Sequence, residues 1–331
     1  MIKFDEQKLL AGFQGGIDLR PQIEEIVDEI CEQGYDQICY MGVGGTWASS
    51  LQAESHIREF SDLPVIVEQA GQYNVMPNKR ITKDTVIVIS SVSGNTAEMV
   101  TAMKTINEIG CRVIGFIDVP GSPLAEASTY CISYPENEQL KFFIVGDRFM
   151  KNAGQFPQYD DFYAQMDEYY AKDLVAVQKQ ADEWAKGYAE RHHDDPIHYF
   201  VAAGEQWGST YSYAMCYWEE QHWIRTKSIH AAEFFHGMFE VVDRDTNVTL
   251  FMGEDAERPL AERVANFLPK ICGRYEIIDS KDYDLPGISP EYRGYLSHLV
   301  IHMVTERIDA HIEHINRHPM DIRRYYRQLD Y

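Results

Sequence analysis

The feature that most constrains this chain is an alternation. Short, continuous apolar runs at 37–43 (QICYMGV), 63–68 (LPVIVE), 84–91 (DTVIVISS), 112–119 (RVIGFIDV) and 130–135 (YCISYP) are each followed by a Gly or polar turn and then a helical stretch. A strand that is apolar on both faces needs cover on both faces, so the pattern predicts a parallel sheet between helical layers. The order recurs further on. Residues 198–204 (HYFVAAG) parallel 37–43, 247–255 (NVTLFMGED) parallel 84–91, and 274–280 (RYEIIDS) parallel 112–119, at an offset of about 160 residues. That is a domain-sized duplication: an α/β chain with two parallel sheets, each flanked by helices. Residues 159–195 lie between the halves, with apolar positions at helical spacing and no Pro or Gly before Gly187. They read as one long amphipathic helix. The expected division is 1–158 and 159–331. The HHDD run at 192–195 reads as a solvated helix end before Pro196, with metal ligation the lesser alternative.

Charge narrows the partners. Fifty-two Asp and Glu against 30 Lys and Arg give a net charge of −22, a field that repels nucleic acid and anionic lipid. The same field repels a phosphorylated ligand, so any phosphate site must rest on local N–H groups and hydroxyls. No apolar run is long enough to span a membrane, and the first residues are too polar for an export signal. The expectation is a cytoplasmic protein. Its six cysteines form no CxxC pair and read as reduced and mostly buried.

Two turns follow predicted strands and open predicted helices. In MGVGGTWASS (41–50), Gly44 and Gly45 allow close approach of backbone to a ligand. As a dinucleotide fingerprint it is weak, because Trp47 stands where the third glycine belongs. Glu68 sits where a ribose-binding acid would, which keeps a dehydrogenase as a distant alternative. In SSVSGNTAEMV (90–100), Ser90, Ser91, Ser93 and Thr96 crowd around Gly94. One hydroxyl suffices to cap a helix. Four of them beside free helix-start N–H groups suit a phosphate monoester. The corresponding turns of the second half, 202–210 and 251–259, lack such a cluster, so one phosphate site per chain is expected.

Acid–base groups concentrate in 213–243, where Glu219, Glu220, His222, His230, Glu233 and His236 fall close together. Carboxylate beside imidazole supplies a base and an acid near neutral pH. For any one of these histidines, a hydrogen-bonded structural role is the ordinary alternative. A second histidine group (His298, His302, His311, His314 and His318, with Glu306) reads as structural or interfacial rather than metal-binding.

These motifs resemble the sugar isomerase (SIS) family. Ser91, Ser93, Gly94 and Thr96 match its S-x-S-G-x-T phosphate loop. Gly45 and Thr46 match its earlier turn, where Trp47 replaces a usual Ser. Two-domain aminosugar isomerases of the family carry a Glu sixteen residues before the His of E-x-x-H-G. Here Glu220 stands sixteen residues before His236, and Glu233–Gly237 supplies the motif. The fructosamine 6-phosphate deglycase branch is more similar still. Trp223-Ile224, the run SIHAAEFFHGMFEVVD at 228–243, His318-Pro319, Arg323-Arg324-Tyr325 and Asp330-Tyr331 follow its pattern, with Ala232 for Gly and Met238 for Pro.

The resemblance implies two SIS domains of flavodoxin-like three-layer form. It implies Glu220 as the enolising base and His236 as a ring-opening acid reaching a neighbouring subunit's site in a homodimer. Gly45, Thr46, Ser91, Ser93, Gly94, Thr96 and Glu233 are then substrate-binding residues. The implied reaction cleaves a 6-phosphorylated Amadori product, of the fructoselysine 6-phosphate type, to glucose 6-phosphate and a free amino acid, with no cofactor and no metal. The alternatives are an aminosugar-phosphate isomerase or deaminase and a non-catalytic sugar-phosphate sensor.

Overall fold

The computed structural model describes residues 1–330; Tyr331, the last residue of the C-terminal motif, lies outside the described residues. Two compact units result. The first is Lys8–Ala171, and the second joins Met1–Gln7 to the chain from Lys172 onward. The division falls inside a 34-residue helix, Tyr159–His192, which fills most of the stretch expected to be helical.

In the first unit the apolar runs become β1 (Gln37–Gly42), β2 (Val65–Gln69), β3 (Thr85–Ser91), β4 (Arg112–Ile117) and β5 (Tyr130–Ile132). They form an all-parallel sheet ordered β2-β1-β3-β4-β5. Every residue of β1 and β3 is buried. That explains why their sequences do not alternate: side chains on both faces meet helices, and each fully buried Val, Ile or Met contributes roughly 1.5–3 kcal/mol. Ile87 and Ile89 share one core cluster with Met99, Met103 and Ile106 of the helix Ala97–Ile109.

The second unit repeats the plan with β6 (His198–Ala202), β7 (Thr226–His230), β8 (Asn247–Met252) and β9 (Arg274–Asp279), all parallel in the order β7-β6-β8-β9. Val201, Val248 and Leu250 pack with Phe234, Val264 and Leu268 in its core. The protein is therefore an α/β chain with two similar sheet-and-helix halves. All six cysteines are free thiols; Cys39, Cys111 and Cys272 are buried, whereas Cys131 is exposed and Cys31 and Cys216 are half-buried. Among the described residues no helix is long and apolar enough to cross a membrane.

Candidate active-site elements

In the first unit, chain direction across the sheet reverses between β1 and β3, whose carboxyl ends are where open parallel sheets place ligands. The turns leaving those two strands are the two that the sequence singled out. After β3, Gly94 adopts φ +65°. A Cβ there would lie 1.9 Å from Ser122 Oγ, so only glycine fits. Ser91 Oγ accepts from Gly94 N at 3.0 Å and fixes the turn. Thr96 then starts the helix Ala97–Ile109 without a side-chain cap. The first-turn N–H groups thus remain donors for an anion. After β1, Gly44 (φ 56°) leads into the helix Gly45–Phe60, also without a side-chain cap. Thr46 is committed locally: its hydroxyl donates to Val43 O at 2.9 Å and accepts from Val43 N at 3.1 Å.

The second unit builds the same turn and fills it with its own carboxylate. Gly204, at φ 59°, follows β6 and opens the helix Glu205–Ser212. Its N–H donates to Glu257 Oε2 at 2.9 Å, and His230 Nε2 lies 3.3 Å from the same oxygen. The nest that would hold an external anion is occupied from within.

The acid–base segment is not the α-helix that its composition suggests. Tyr213–His222 is a π-helix, ended by Trp223 in the left-handed region at φ 61°. Such turns are rare and recur at functional sites. It buries Tyr213, Ala214, Trp218 and His222. His222 Nε2 and Tyr213 OH both bond Asp309 Oδ1, at 2.9 and 3.1 Å, so His222 is a structural residue. Glu219 is exposed and tied to Thr226, accepting from its Oγ1 at 2.8 Å. Glu220 is partly exposed and accepts from Arg323 Nε at 2.7 Å. Both glutamates border a cavity of about 510 Å³ that residues 323–326 also line. Glu233 and His236 are exposed, and among the described residues no hydrogen bond or ion pair joins either to Glu220.

Residues 33–149 match the SIS domain model. The matched stretch runs from just before β1 to beyond β5. Over 94% of its length it is 27% identical to a fructosamine deglycase of Bacillus subtilis, covering 97% of that protein. It is 22% identical to the fructoselysine 6-phosphate deglycase of Escherichia coli K12, over 92% of this chain and 90% of that one. A solved Bacillus subtilis structure described as a candidate phosphosugar isomerase superposes with a TM-score of 0.87 at 25% identity, over 94% of this chain and 97% of that one.

Around the phosphate-type turn after β3, the structure adds residues that the motif does not contain. Glu138 receives hydrogen bonds from Ser90 and Ser49; burial nonetheless raises its carboxyl above the usual range. Lys141 is fully buried near Glu138 and Asp118, and burial lowers its ammonium. Only long-range pairing reveals them, since Glu138 opens a helix far along the chain from β3.

The HHDD expectation requires correction. His192 and Asp195 are buried, not solvated, and they join His198 in a cluster whose ligand-type atoms lie within 4.8 Å of one another. Asp195 Oδ2 accepts from Nδ1 of both histidines at 2.8 Å. His198 Nε2 lies 2.8 Å from Thr249 Oγ1. Burial pushes His198 down to about 4. Burial also opposes charge on His192, but hydrogen bonds to Asp195 and Glu276 outweigh it and raise that residue. Parts of the acid–base segment and of the second histidine group are likewise buried. Trp218, Tyr213, His298 and His311 are buried in the second unit itself.

Proposed function

We propose that this protein is a deglycase for 6-phosphorylated Amadori products. The observation that carries the reading is Glu220, a carboxylate bordering a cavity and oriented by an arginine. It sits in a chain similar along nearly its whole length to a fructosamine deglycase. The 90–96 turn holds the phosphate through helix-start N–H groups and the hydroxyls of Ser91, Ser93 and Thr96; Gly45, Thr46 and Glu233 complete the substrate contacts. Glu220 removes the C1 proton beside the C2 carbonyl of the open-chain sugar, giving an enaminol. Protonation at C2 converts it to the aldose imine. Water adds to the imine carbon, and the C–N bond breaks to release glucose 6-phosphate and the free amino acid. His236 is the acid that assists ring opening, supplied to the neighbouring subunit's site in a homodimer. Each proton transfer by a positioned group contributes roughly 10²–10⁴-fold.

The test is product analysis by mass spectrometry on a panel of phosphorylated Amadori compounds and aminosugar phosphates, with Glu220→Gln beside Glu219→Gln. Turnover of Amadori compounds falls by at least about 10²-fold in Glu220→Gln and is largely kept in Glu219→Gln. Release of ammonia from aminosugar phosphates alone would make the protein a deaminase. Full activity of Glu220→Gln would remove that residue from the mechanism.

A further inference from the structure

The cavity beside Glu220 is lined by three arginines against two carboxylates, Glu219 and Glu220. In a protein of net charge −22, Arg225, Arg323 and Arg324 border this one space. Arg323 spends its Nε on Glu220 and donates through Nη1 to the carbonyls of Met320 and Ile322, which hold its guanidinium in place. Arg324 stacks over the Trp223 indole with its central carbon 4.0 Å from the ring centroid. Trp223 is aimed by its left-handed backbone at the end of the π-helix and backed by the His318 ring at 4.1 Å. Among the described residues neither Arg225 nor Arg324 is paired with a carboxylate. A guanidinium stacked on an aromatic face keeps its planar fork free and loses little entropy on binding, which suits bidentate capture of a carboxylate.

We propose that this cavity is the subsite for the carboxylate of the departing amino acid, with Arg324 as its clamp. The proposal rests on Glu220 being the base at C1. In an Amadori product linked through an α-amino group, C1, the nitrogen, the α-carbon and the carboxylate carbon follow one another. The carboxylate therefore lies about 4 Å from C1, three bonds of about 1.5 Å away. A base that touches Arg323 thus brings that carboxylate within reach of the arginine group. Arg323 exchanges its Glu220 contact for the incoming carboxylate as substrate binds, which releases the base to take the C1 proton. The substrate class is the 6-phosphorylated fructosyl derivative of an amino acid whose α-amino group carries the sugar.

The experiment compares two compounds of the same chain length, the phosphorylated Amadori products of glycine and of ethanolamine, which differ by carboxylate against hydroxymethyl. In the wild type, kcat/KM favours the glycine compound by about 10–100-fold, the range of a charge-assisted pair. In Arg324→Gln the ratio falls to within about threefold, with the loss in KM; Arg324→Lys keeps part of it. Isothermal titration of both compounds reads the same preference as binding, whether or not turnover occurs. Equal affinity for the two compounds in the wild type, or an undiminished ratio in Arg324→Gln, overturns the subsite. Turnover of neither compound, with the binding preference intact and lost in Arg324→Gln, keeps the subsite and removes the deglycase reading. If Arg324→Gln instead weakens inhibition by glucose 6-phosphate as much as it weakens binding of the glycine compound, the cavity takes phosphate and the proposal falls.

Discussion

Replacing Gly94 by Ala separates the two demands that the phosphate-type turn makes on its backbone. The residue sits at φ +65°, where a Cβ costs about 1–2 kcal/mol from local sterics alone. The added Cβ would also lie 1.9 Å from Ser122 Oγ and 2.5 Å from Ser122 Cβ. Rotating the Ser122 hydroxyl away breaks its 2.8 Å bond to Val119 O, at a cost of about 1 kcal/mol. Rotation does not move Ser122 Cβ, so the turn itself must shift. The combined cost is about 3 kcal/mol, or about 6–12 °C in the melting temperature of a unit this size. Gly110, at the other end of the same helix, is the control. It has φ +88° with nothing within 4 Å of a built Cβ, so Gly110→Ala carries the conformational cost alone, about 1 kcal/mol and about 2–4 °C. Differential scanning calorimetry measures both. Competitive inhibition by glucose 6-phosphate then tests function: Gly94→Ala raises the inhibition constant at least about tenfold, because several N–H donors lose alignment together, and Gly110→Ala leaves it unchanged. Equal melting losses in the two variants would refute the steric argument. An unchanged inhibition constant in Gly94→Ala would refute the assignment of phosphate to this turn.

Three further outcomes follow from the same geometry. Ser93→Ala with Thr96→Ala raises KM for a phosphorylated substrate while thermal stability changes little, and an unchanged KM would move the phosphate elsewhere. Inactive Glu220→Gln and His236→Ala chains, mixed under conditions where mass measurements show subunit exchange, recover roughly a quarter of wild-type activity, since half the dimers are mixed and each has one intact pair; a dead mixture means that His236 acts within its own chain. His198 is held near 4 against about 6.5 unfolded, so the unfolded chain binds the extra proton between those values and stability falls as pH drops through that window. The stability advantage of wild type over His198→Gln, read from urea unfolding, therefore shrinks by roughly 3 kcal/mol from pH 6.5 to 4, and a constant difference would exclude a buried neutral His198.

Most of the sheet architecture was legible because both-face burial leaves a one-dimensional mark: Ile87, Val88 and Ile89 stand together in sequence because helices cover both sides of β3. The strand that escaped, β7, is an edge strand with exposed Lys227 and no such run, and its residues read as part of the acid–base segment. The π-helix escaped because one extra residue per hydrogen-bonded turn changes the geometry without changing the composition. Site residues were legible where a motif is local, as in 90–96. Arg323 meets Glu220 across 103 positions, and no periodicity connects them. His192 and Asp195 misled for a related reason. A polar run at a helix end looks solvated until the strand that follows it, carrying His198, is seen to bury it.

Glu257 bears on how a doubled fold comes to do single work. A tethered carboxylate meets its nest at an effective concentration that a dissolved metabolite seldom matches, so the copy of the turn after β6 is spoken for before any ligand arrives. With that N–H taken from inside, the second unit has one donor fewer to offer a dissolved anion. The segment that follows this turn in the chain runs into the π-helix that carries the arginine-held Glu220.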